Sequence, residues 1–175
     1  MKYLIFSDLH GSSQSAQIII DKFIGHSCDL MICLGDVLYH GPRNDLPPFY
    51  EPKKVISILN QYSKKIICIQ GNCDAEVDQM VLNFPIVKSD NLVLNGLTCH
   101  FEHGHHLDVL STNADIIFYG HTHISIIEKK DNQLFCNPGS ITIPKDGTSR
   151  SFIIMDDNSI KLYDIDDNII KTYSI

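Results

Sequence analysis

Four short, nearly continuous apolar runs constrain the fold of this chain more than any other feature. They cover residues 3–6, 30–34, 66–69 and 116–119. Apolar runs of this length, without regularly alternating polar residues, are typical of strands that are buried on both faces in a sheet covered by helices. The sequence therefore predicts an α/β fold.

The segments between the first three runs are predicted to be helices. Residues 12–25 place Ile19, Ile20 and Phe23 on one face, and residues 55–62 repeat apolar side chains at the i, i+3, i+4 and i+7 positions. Helices that alternate with buried strands indicate a β-α-β-α-β start and a parallel sheet.

The later part of the chain has a hairpin pattern instead. The pair Asn95-Gly96, typical of a tight turn, separates the apolar segments 91–94 and 97–101. Similar segments follow, so the second half is predicted to be antiparallel or mixed. They cover residues 124–129, 133–135, 151–155, 160–165 and 169–175.

Size and composition favour one cytoplasmic domain over residues 1–175. With 43% apolar residues, a chain of 175 residues can bury a core without disulfides. Its six cysteines form no C-x-x-C pair, which fits a reducing compartment. The first apolar run ends before Asp8 and is too short for a signal peptide or a membrane span, so we expect no membrane association. Composition indicates no self-association surface, so a monomer and a homo-oligomer both stay open.

The net charge of −7 bears on the substrate. Without a dense cluster of Lys and Arg, the chain lacks the basic footprint that binds a nucleic-acid backbone, so we expect no polymeric nucleic-acid partner. An acidic protein can still bind a small anion when bound cations reverse the local charge.

Each apolar run ends in a polar motif. The carboxyl ends of parallel strands form the ligand site of such sheets, so we expect these motifs to converge, together with a further one after the predicted hairpin. The motifs supply two Asp, one Asn and four His, which are oxygen and imidazole donors suited to divalent metals. They are Ser7-Asp8-Leu9-His10, Gly35-Asp36, Gly71-Asn72, His103-Gly104 and Gly120-His121-Thr122-His123.

The spacing of these donors suits a two-metal site. Side chains two residues apart can point to one ion, as for Asp8 with His10 and for His121 with His123. Asp36 can bridge two ions through its two carboxylate oxygens. Two ions about 3.5–4 Å apart hold a shared hydroxide for in-line attack on phosphorus.

The ordered motifs resemble those of the calcineurin-like metallophosphoesterase superfamily over most of the chain. The segments GDVLYHGPRN (35–44), GNCD (71–74) and NPGS (137–140) are similar to the small bacterial YfcE-type phosphodiesterases. The resemblance implies a four-layer sandwich of two mixed β-sheets flanked by helices, and a phosphoric diester hydrolase. It also implies one ion held by Asp8, His10, Asp36 and His123, and a second by Asp36, Asn72, His103 and His121.

The metal and the proton donor are less constrained. Members of this superfamily commonly use Mn²⁺, although Fe²⁺, Zn²⁺, Co²⁺ and Ni²⁺ also occur, and the donor set suits them all. Many members have His after the Gly-Asn pair, where it protonates the leaving group, but this chain has Cys73. The thiol, His40 and His105 are the candidates for that role, unless the enzyme acts without an acid on good leaving groups.

Other polar residues have two interpretations. Arg43 either offers a bidentate contact to phosphate or is a solvated loop residue. The turn 137–140 either supports the site or is only structural. We interpret His26, His100 and His106 as surface or structural residues.

These observations predict a phosphodiesterase that hydrolyses small phosphate diesters through a metal-bridging hydroxide. A phosphomonoesterase or a cyclic-nucleotide hydrolase on the same site is an alternative, because a dimetal centre serves all three. A further alternative is a non-catalytic scaffold like the retromer small subunit, which resembles this fold. The complete set of seven donors favours catalysis, since a scaffold has no chemical need for it.

Overall fold

The computed structural model describes residues 1–105 and 112–175, which form two α-helices and twelve strands. The helices are α1 (Ser13–Gly25) and α2 (Pro52–Asn60), and short 3₁₀ helices span Ser63–Lys65 and Glu76–Met80. The strands are β1 (Tyr3–Phe6), β2 (Leu30–Cys33), β3 (Ile66–Ile69), β4 (Ile86–Val87), β5 (Ser89–Leu94), β6 (Leu97–Glu102), β7 (Ile116–Phe118), β8 (Ser125–Lys130), β9 (Gln133–Pro138), β10 (Ser151–Met155), β11 (Ser159–Asp164) and β12 (Ile169–Ser174).

The first sheet contains the predicted β-α-β-α-β start. Its strand order is β12-β11-β10-β1-β2-β3-β4, and the strands from β1 to β4 run parallel to one another. The C-terminal strands extend this sheet because β10 pairs antiparallel with β1, with Leu4 opposite Ile154. The sheet is therefore mixed, as expected.

The second sheet has the order β5-β6-β7-β9-β8 and is also mixed. Asn95 and Gly96 join β5 to β6 with φ angles of 50° and 86°, the left-handed values that a type I′ turn requires. The fourth apolar run is β7, so it lies in this sheet and not beside the first three. The run itself did not distinguish the two sheets, because all residues of β7 are buried, like those of β1 in the first sheet.

Alternate residues of β1 face two different cores. Leu4 and Phe6 pack against α1 and α2, whereas Tyr3 and Ile5 pack against the second sheet. Both helices thus cover the first sheet, and described residues form three of the four expected layers. Phe101 and Phe118 lie stacked between the sheets with their ring centroids 5.1 Å apart. This packing brings the carboxyl ends of β1, β2, β3, β6 and β7 to one region.

Neither a disulfide nor a membrane-spanning helix occurs in the described residues. All six cysteines are free thiols. Cys33 of β2 and Cys68 of β3 lie opposite each other in the strand register, inside the core, without a bond between them. No described helix is long and apolar enough to cross a bilayer. Apolar residues of both sheets form one buried cluster, so hydrophobic packing holds the two sheets together.

Candidate metal centre

The carboxyl ends of five strands bring the seven predicted metal ligands together. Each ligand lies within a few residues of the end of its strand, and the strands come from both sheets. The sequence motifs therefore converge as expected. The ligands are Asp8 and His10 after β1, Asp36 after β2, Asn72 after β3, His103 after β6, and His121 and His123 after β7.

Three of these side chains form a first donor group. The Nε2 atoms of His10 and His123 are 3.2 Å apart, and they lie 3.6 and 3.3 Å from Oδ1 of Asp8. All three residues are buried, and no described residue provides a hydrogen-bond partner for Oδ1 of Asp8. A buried carboxylate oxygen without a donor is costly unless a ligand satisfies it, so this group fits a cation.

Asp36 lies between this group and a second one. Its Oδ2 is 3.7 Å from Nε2 of His10, whereas its Oδ1 is 3.5 Å from Nε2 of His103. On the second side, Nε2 of His103 is 3.1 Å from Oδ1 of Asn72, and the ring centroid of His121 is 5.2 Å from that of His103. The two oxygens of one carboxylate thus face two separate sets of donors.

Backbone carbonyls fix the orientation of three imidazoles. In each case Nδ1 lies within hydrogen-bond distance of a carbonyl oxygen, so in the neutral imidazole Nδ1 carries the proton and Nε2 has the lone pair, directed into the centre. This arrangement is common among metal-binding histidines. The three pairs are His10 with Tyr39 (2.9 Å), His103 with Leu34 (2.6 Å) and His123 with Ile143 (2.8 Å).

The backbone at the centre is strained. Five of the seven ligands have left-handed φ angles, which non-glycine residues seldom adopt and which cluster at functional sites. The apolar runs and motif spacing gave no indication of this conformation. The five residues and their φ angles are Asp8 (58°), His10 (48°), Asp36 (56°), His121 (66°) and His123 (61°).

The acidic and basic side chains shift one another's protonation. Burial alone would raise the pKa of Asp8, but the nearby His10 and His123 imidazoles lower it well below its usual range. Burial disfavours protonated His103, yet Asp36 and Asp8 raise the pKa of His103 to about 9. Without a bound cation, the carboxylates therefore hold a proton on His103 that a metal ion must displace.

The donor set as a whole fits divalent metal ions. Carboxylate, amide and imidazole donors suit Mn²⁺, Zn²⁺, Fe²⁺, Co²⁺ and Ni²⁺, and the Nε2 lone pairs point inward. Among the described residues, three clusters of potential ligand atoms each lie within 4.8 Å; one is His10, Asp36 and Cys73, and the other two share Asp8. These two are Asp8 with His10 and His123, and Asp8 with Asp36 and His103.

The carboxylate of Asp74 connects two of the ligand loops. Its Oδ2 accepts hydrogen bonds from the backbone N–H groups of Asp36 (2.8 Å) and Gly71 (2.7 Å), and its Oδ1 accepts one from Val37 (2.7 Å). Gly71 lies so close to Asp36 that a Cβ there would overlap the Asp36 side chain. Asp74 therefore positions Asp36, a role that we did not predict from the sequence.

The turn 137–140 supports the centre from behind. The side-chain amide of Asn137 donates to the carbonyl of Gly120 (2.8 Å), next to His121. The hydroxyl of Ser140 donates to the carbonyl of Asp8 (2.8 Å). Of the two interpretations of this turn, the contacts favour support of the site.

The three proton-donor candidates have different positions. Cys73 lines the cleft over the centre, and burial together with Asp36 raises the pKa of its thiol to about 12. The ring of His105 lies 5.5 and 6.1 Å from the rings of His103 and His121. His40 instead packs between Tyr39 and Tyr50 and is not among the residues that line this cleft.

Two cationic side chains line the same cleft. One is Arg43, as one of its two interpretations predicts, and the other is Lys145, which the sequence did not single out. The backbone N–H of Lys145 donates to the carbonyl of the ligand His123 (3.1 Å), which fixes the loop that carries it. Both side chains can face an anion bound at the centre.

The remaining histidines lie away from the donor groups. His26 binds Asp167 at 2.9 Å and contacts the rings of Phe152 and Tyr163. His100 lies 2.9 Å from the side chain of Asn91 on the outer face of β6. His106 lies outside the described residues.

Comparisons with known proteins agree with this geometry. The model of the calcineurin-like phosphoesterase superfamily domain matches residues 1–159. Phosphodiesterase YfcE of Escherichia coli (strain K12) is 39% identical over 168 residues, which cover 93% of this chain and 91% of that protein. The solved structure of Yfce, a phosphoesterase from E. coli, superposes with a TM-score of 0.95 at 37% identity over the full length of both chains.

More distant structures share the fold. Vacuolar Protein Sorting 29 from Cryptosporidium parvum superposes with a TM-score of 0.69 over 99% of this chain and 98% of its own. The identity is 18%, so this similarity concerns the fold alone.

Replacing Asp74 by Asn should weaken both the fold and metal binding. An amide can accept through only one of its two ends, so at least one buried N–H group loses its partner, at a cost of about 1–3 kcal/mol in the free energy of unfolding. Substitution of a residue that positions a metal ligand typically lowers metal affinity by about 10–100-fold. Urea unfolding and calorimetric Mn²⁺ titration test this, with Asp131→Asn in the distant β8–β9 turn as the control. Unchanged Mn²⁺ affinity in Asp74→Asn would contradict the positioning role.

The stability of the ion-free protein should fall between pH 6.5 and 9. The pKa of His103 rises on folding from 6.5 to about 9, so its contribution is fully present below pH 6.5 and is lost as the pH rises through 9. At about 1.36 kcal/mol per pKa unit, the loss is about 3 kcal/mol at most. Urea unfolding of chelator-treated protein at several pH values measures it. A His103→Gln variant with the same pH dependence as the parent would exclude this origin.

Proposed function

Because the chain belongs to the calcineurin-like phosphoesterase superfamily, we propose that it is a metal-dependent phosphodiesterase that hydrolyses small phosphate diesters. The proposed domain is the whole of residues 1–175, because β10 to β12 complete the sheet that carries Asp8 and Asp36. Its setting is the reducing cytoplasm, which fits the six free thiols.

The position of Asp36 carries the two-metal part of the proposal. Its two oxygens face His10 on one side and His103 on the other, so the carboxylate can be shared by two ions. One ion would be held by Asp8, His10, Asp36 and His123, and the other by Asp36, Asn72, His103 and His121. We propose Mn²⁺ as the native ion, with Zn²⁺, Fe²⁺, Ni²⁺ and Co²⁺ compatible with the same donors.

Divalent ions in such a site lower the pKa of water and stabilise the charge that develops on phosphate oxygens. The protein residues supply orientation. Carbonyl-bound imidazoles keep their Nε2 atoms directed inward, and Asp74 fixes the Asp36 loop, so the donors need little rearrangement to bind. Arg43 and Lys145 line the cleft and can bind the oxygens of the phosphate.

We propose His105 as the donor of the proton to the leaving alcohol. Its imidazole lies beside His103 and His121, within reach of a substrate bound at the second donor group. The aromatic neighbours of His40 hold it away from the cleft. At position 73 this chain has a cysteine thiol where many superfamily members have the imidazole of a histidine.

The alternatives predict different behaviour. A phosphomonoesterase or a cyclic-nucleotide hydrolase shares the metal centre but differs in substrate preference. A scaffold of the retromer small-subunit type binds partners without turnover, and the gathered donors with fixed imidazoles favour an enzyme instead. A substrate panel at fixed metal concentration separates these functions.

Metal-stripped protein should regain diester hydrolysis when Mn²⁺ is added, and Asp36→Asn should lose it. Substitution of a residue that only positions a metal ligand typically lowers metal affinity or activity about 10–100-fold. Loss of a ligand shared by two ions should therefore lower kcat/KM by more than about 100-fold. The assay uses bis(p-nitrophenyl) phosphate and p-nitrophenyl phosphate with Mn²⁺, Zn²⁺, Ni²⁺ or Mg²⁺, and Asp131→Asn is the matched control. Preference for the monoester would favour the phosphomonoesterase. No turnover with any metal, despite two bound ions per chain, would exclude the diesterase.

His105→Asn should slow the cleavage of alkyl diesters far more than that of nitrophenyl diesters. General acid catalysis is typically worth about 10²–10⁴-fold, and a nitrophenolate leaves without needing a proton. The ratio of kcat/KM for a methyl nucleoside diester and for bis(p-nitrophenyl) phosphate measures the effect, with His100→Asn as the control. If both substrates slow equally, His105 is not the proton donor.

A further inference from the structure

Arg150 lies directly before β10, and within the described residues its hydrogen bonds go to neutral groups. Its Nε donates to the carbonyl of Ile141 (2.8 Å), and its Nη2 donates to the hydroxyl of Ser15 (2.9 Å). The ion pairs within residues 1–105 and 112–175 do not include Arg150. Burial without a carboxylate disfavours the charged form and lowers the pKa of the guanidinium. The charge is therefore kept at a cost in free energy, and the atoms that it binds indicate its role.

Residues 140–143 support the backbone of the loop that follows β1. The hydroxyl of Ser140 donates to the carbonyl of Asp8 (2.8 Å). The hydroxyl of Thr142 donates to the carbonyl of Leu9 (2.9 Å), the residue directly before the second ligand of this loop. The peptide planes that carry two ligands of the first donor group are therefore held by this segment.

The same segment orients the third ligand of the first donor group. The carbonyl of Ile143 accepts a hydrogen bond from Nδ1 of His123 (2.8 Å). The backbone N–H of Ile143 in turn donates to the hydroxyl of Ser140 (2.8 Å), so the contacts with the different ligands are linked. All three ligands of the group thus depend on the position of residues 140–143.

A chain of hydrogen bonds connects Arg150 to this segment through α1. The hydroxyl oxygen of the buried Ser15 lies 2.8 Å from that of Thr142. A guanidinium only donates and a carbonyl only accepts, so the two hydroxyls between them must donate in the same direction. The chain therefore runs from Arg150 through both hydroxyls to the carbonyl of Leu9, and its first donor orients the others.

The second donor group is supported elsewhere. A carbonyl directly after β2 orients one of its imidazoles, and the Asp74 carboxylate holds the adjoining loops. Within the part of the chain that the structure describes, no hydrogen bond joins its ligands to Arg150 or to residues 140–143. The ligands concerned are Asn72, His103 and His121. The contacts of Arg150 therefore concern one donor group and not the other.

We propose that Arg150 is a positioning residue for the ion that the first donor group would hold. Through Ser15 and residues 140–143 it fixes the three ligands of that group, and it leaves the second donor group unaffected. Arg150 is not among the residues that line the cleft, so it acts through these contacts and not on the substrate. The proposal rests on the proposed two-metal centre and identifies a residue that strengthens one of its two ion sites selectively.

Single-site backgrounds separate the two ions. Asn72→Ala removes a ligand of the second donor group, and His123→Gln removes one of the first. Arg150→Met is made in the unsubstituted chain and in both backgrounds, and dissociation constants for Mn²⁺ are measured by calorimetry. Lys64→Met, which removes a positive charge at an exposed position, is the matched control.

Arg150→Met should lower the Mn²⁺ affinity about 10–100-fold in the Asn72→Ala background, the usual effect of losing a residue that positions a ligand. The affinity in the His123→Gln background should not change. Arg150→Lys should restore part of the loss, because an ammonium group also donates to carbonyl and hydroxyl oxygens. In the otherwise unsubstituted chain at stoichiometric Mn²⁺, Arg150→Met should weaken the electron paramagnetic resonance signal of the coupled ion pair.

The ion-free protein provides a readout that needs no metal. The Nδ1 proton of His123 is held by a carbonyl of residues 140–143, so its exchange with water, followed by NMR at one pH, reports on that contact. Arg150→Met should accelerate this exchange and leave the exchange of the Nδ1 proton of His103 unchanged. A general loss of stability would accelerate both.

An equal loss of Mn²⁺ affinity in both backgrounds would overturn the proposal, because it would indicate a general structural effect. Unchanged affinity in the Asn72→Ala background would overturn it as well. If Arg150→Met does not fold, Arg150→Lys and Ser15→Ala provide the same comparison with smaller changes.

Absence of Mn²⁺ binding by the unsubstituted protein would contradict the proposed metal centre instead. The exchange of the His123 proton would then decide on Arg150 by itself. Selective acceleration in Arg150→Met would support the positioning role, and equal rates in the variant and the unsubstituted protein would exclude it.

Discussion

Three hydrogen bonds to the Asp74 carboxylate hold the centre of this structure together. They join the loop after β2 to the loop after β3, and thereby place Asp36 where its two oxygens face different imidazoles. A carboxylate that accepts from backbone N–H groups can remain buried, because these donors replace part of its lost hydration. The close approach of Gly71 to Asp36 depends on the same contacts. The shared ligand is thus positioned mainly by backbone atoms.

Much of the fold, and the convergence of the seven candidate ligands, could be predicted from the sequence. The runs at Tyr3–Phe6 and Ile66–Ile69 are strands with the predicted bounds, and Ser12 caps α1 where the helix was expected to begin. These predictions succeeded because buried strands and amphipathic helices have local periodicities. The sheet that contains β7 could not be predicted, since its neighbours β6 and β9 are chosen by long-range packing.

The residues around the ligands were harder to identify. Asp74 follows a Gly-Asn pair in what looks like a polar turn, where an acidic residue is usually solvated, so only the fold reveals its burial. Lys145 reaches the cleft because a loop after β9 folds back onto His123, and nothing in its sequence neighbourhood indicates that. His40 lies within a motif of the resemblance, yet its aromatic neighbours direct it elsewhere.

The surroundings of the centre differ on its two sides. Arg43 and Lys145 bring positive charge to one side, while the described residues that line the cavity beside His103 include Asp74, Glu102 and one ammonium group, that of Lys88. A chain with a net charge of −7 would therefore bind an anion at this centre through bound metal ions together with Arg43 and Lys145.

The left-handed backbone at five of the candidate metal ligands has an evolutionary consequence. Each such residue costs on the order of 1–3 kcal/mol, and glycine would remove that cost while also removing the donor. Selection for stability alone would therefore erode the centre, since the mutations that relax the backbone are those that abolish chemistry. Strain and donors are therefore expected to persist together only where activity is under selection, and a lineage freed from that selection would be expected to lose the donors first.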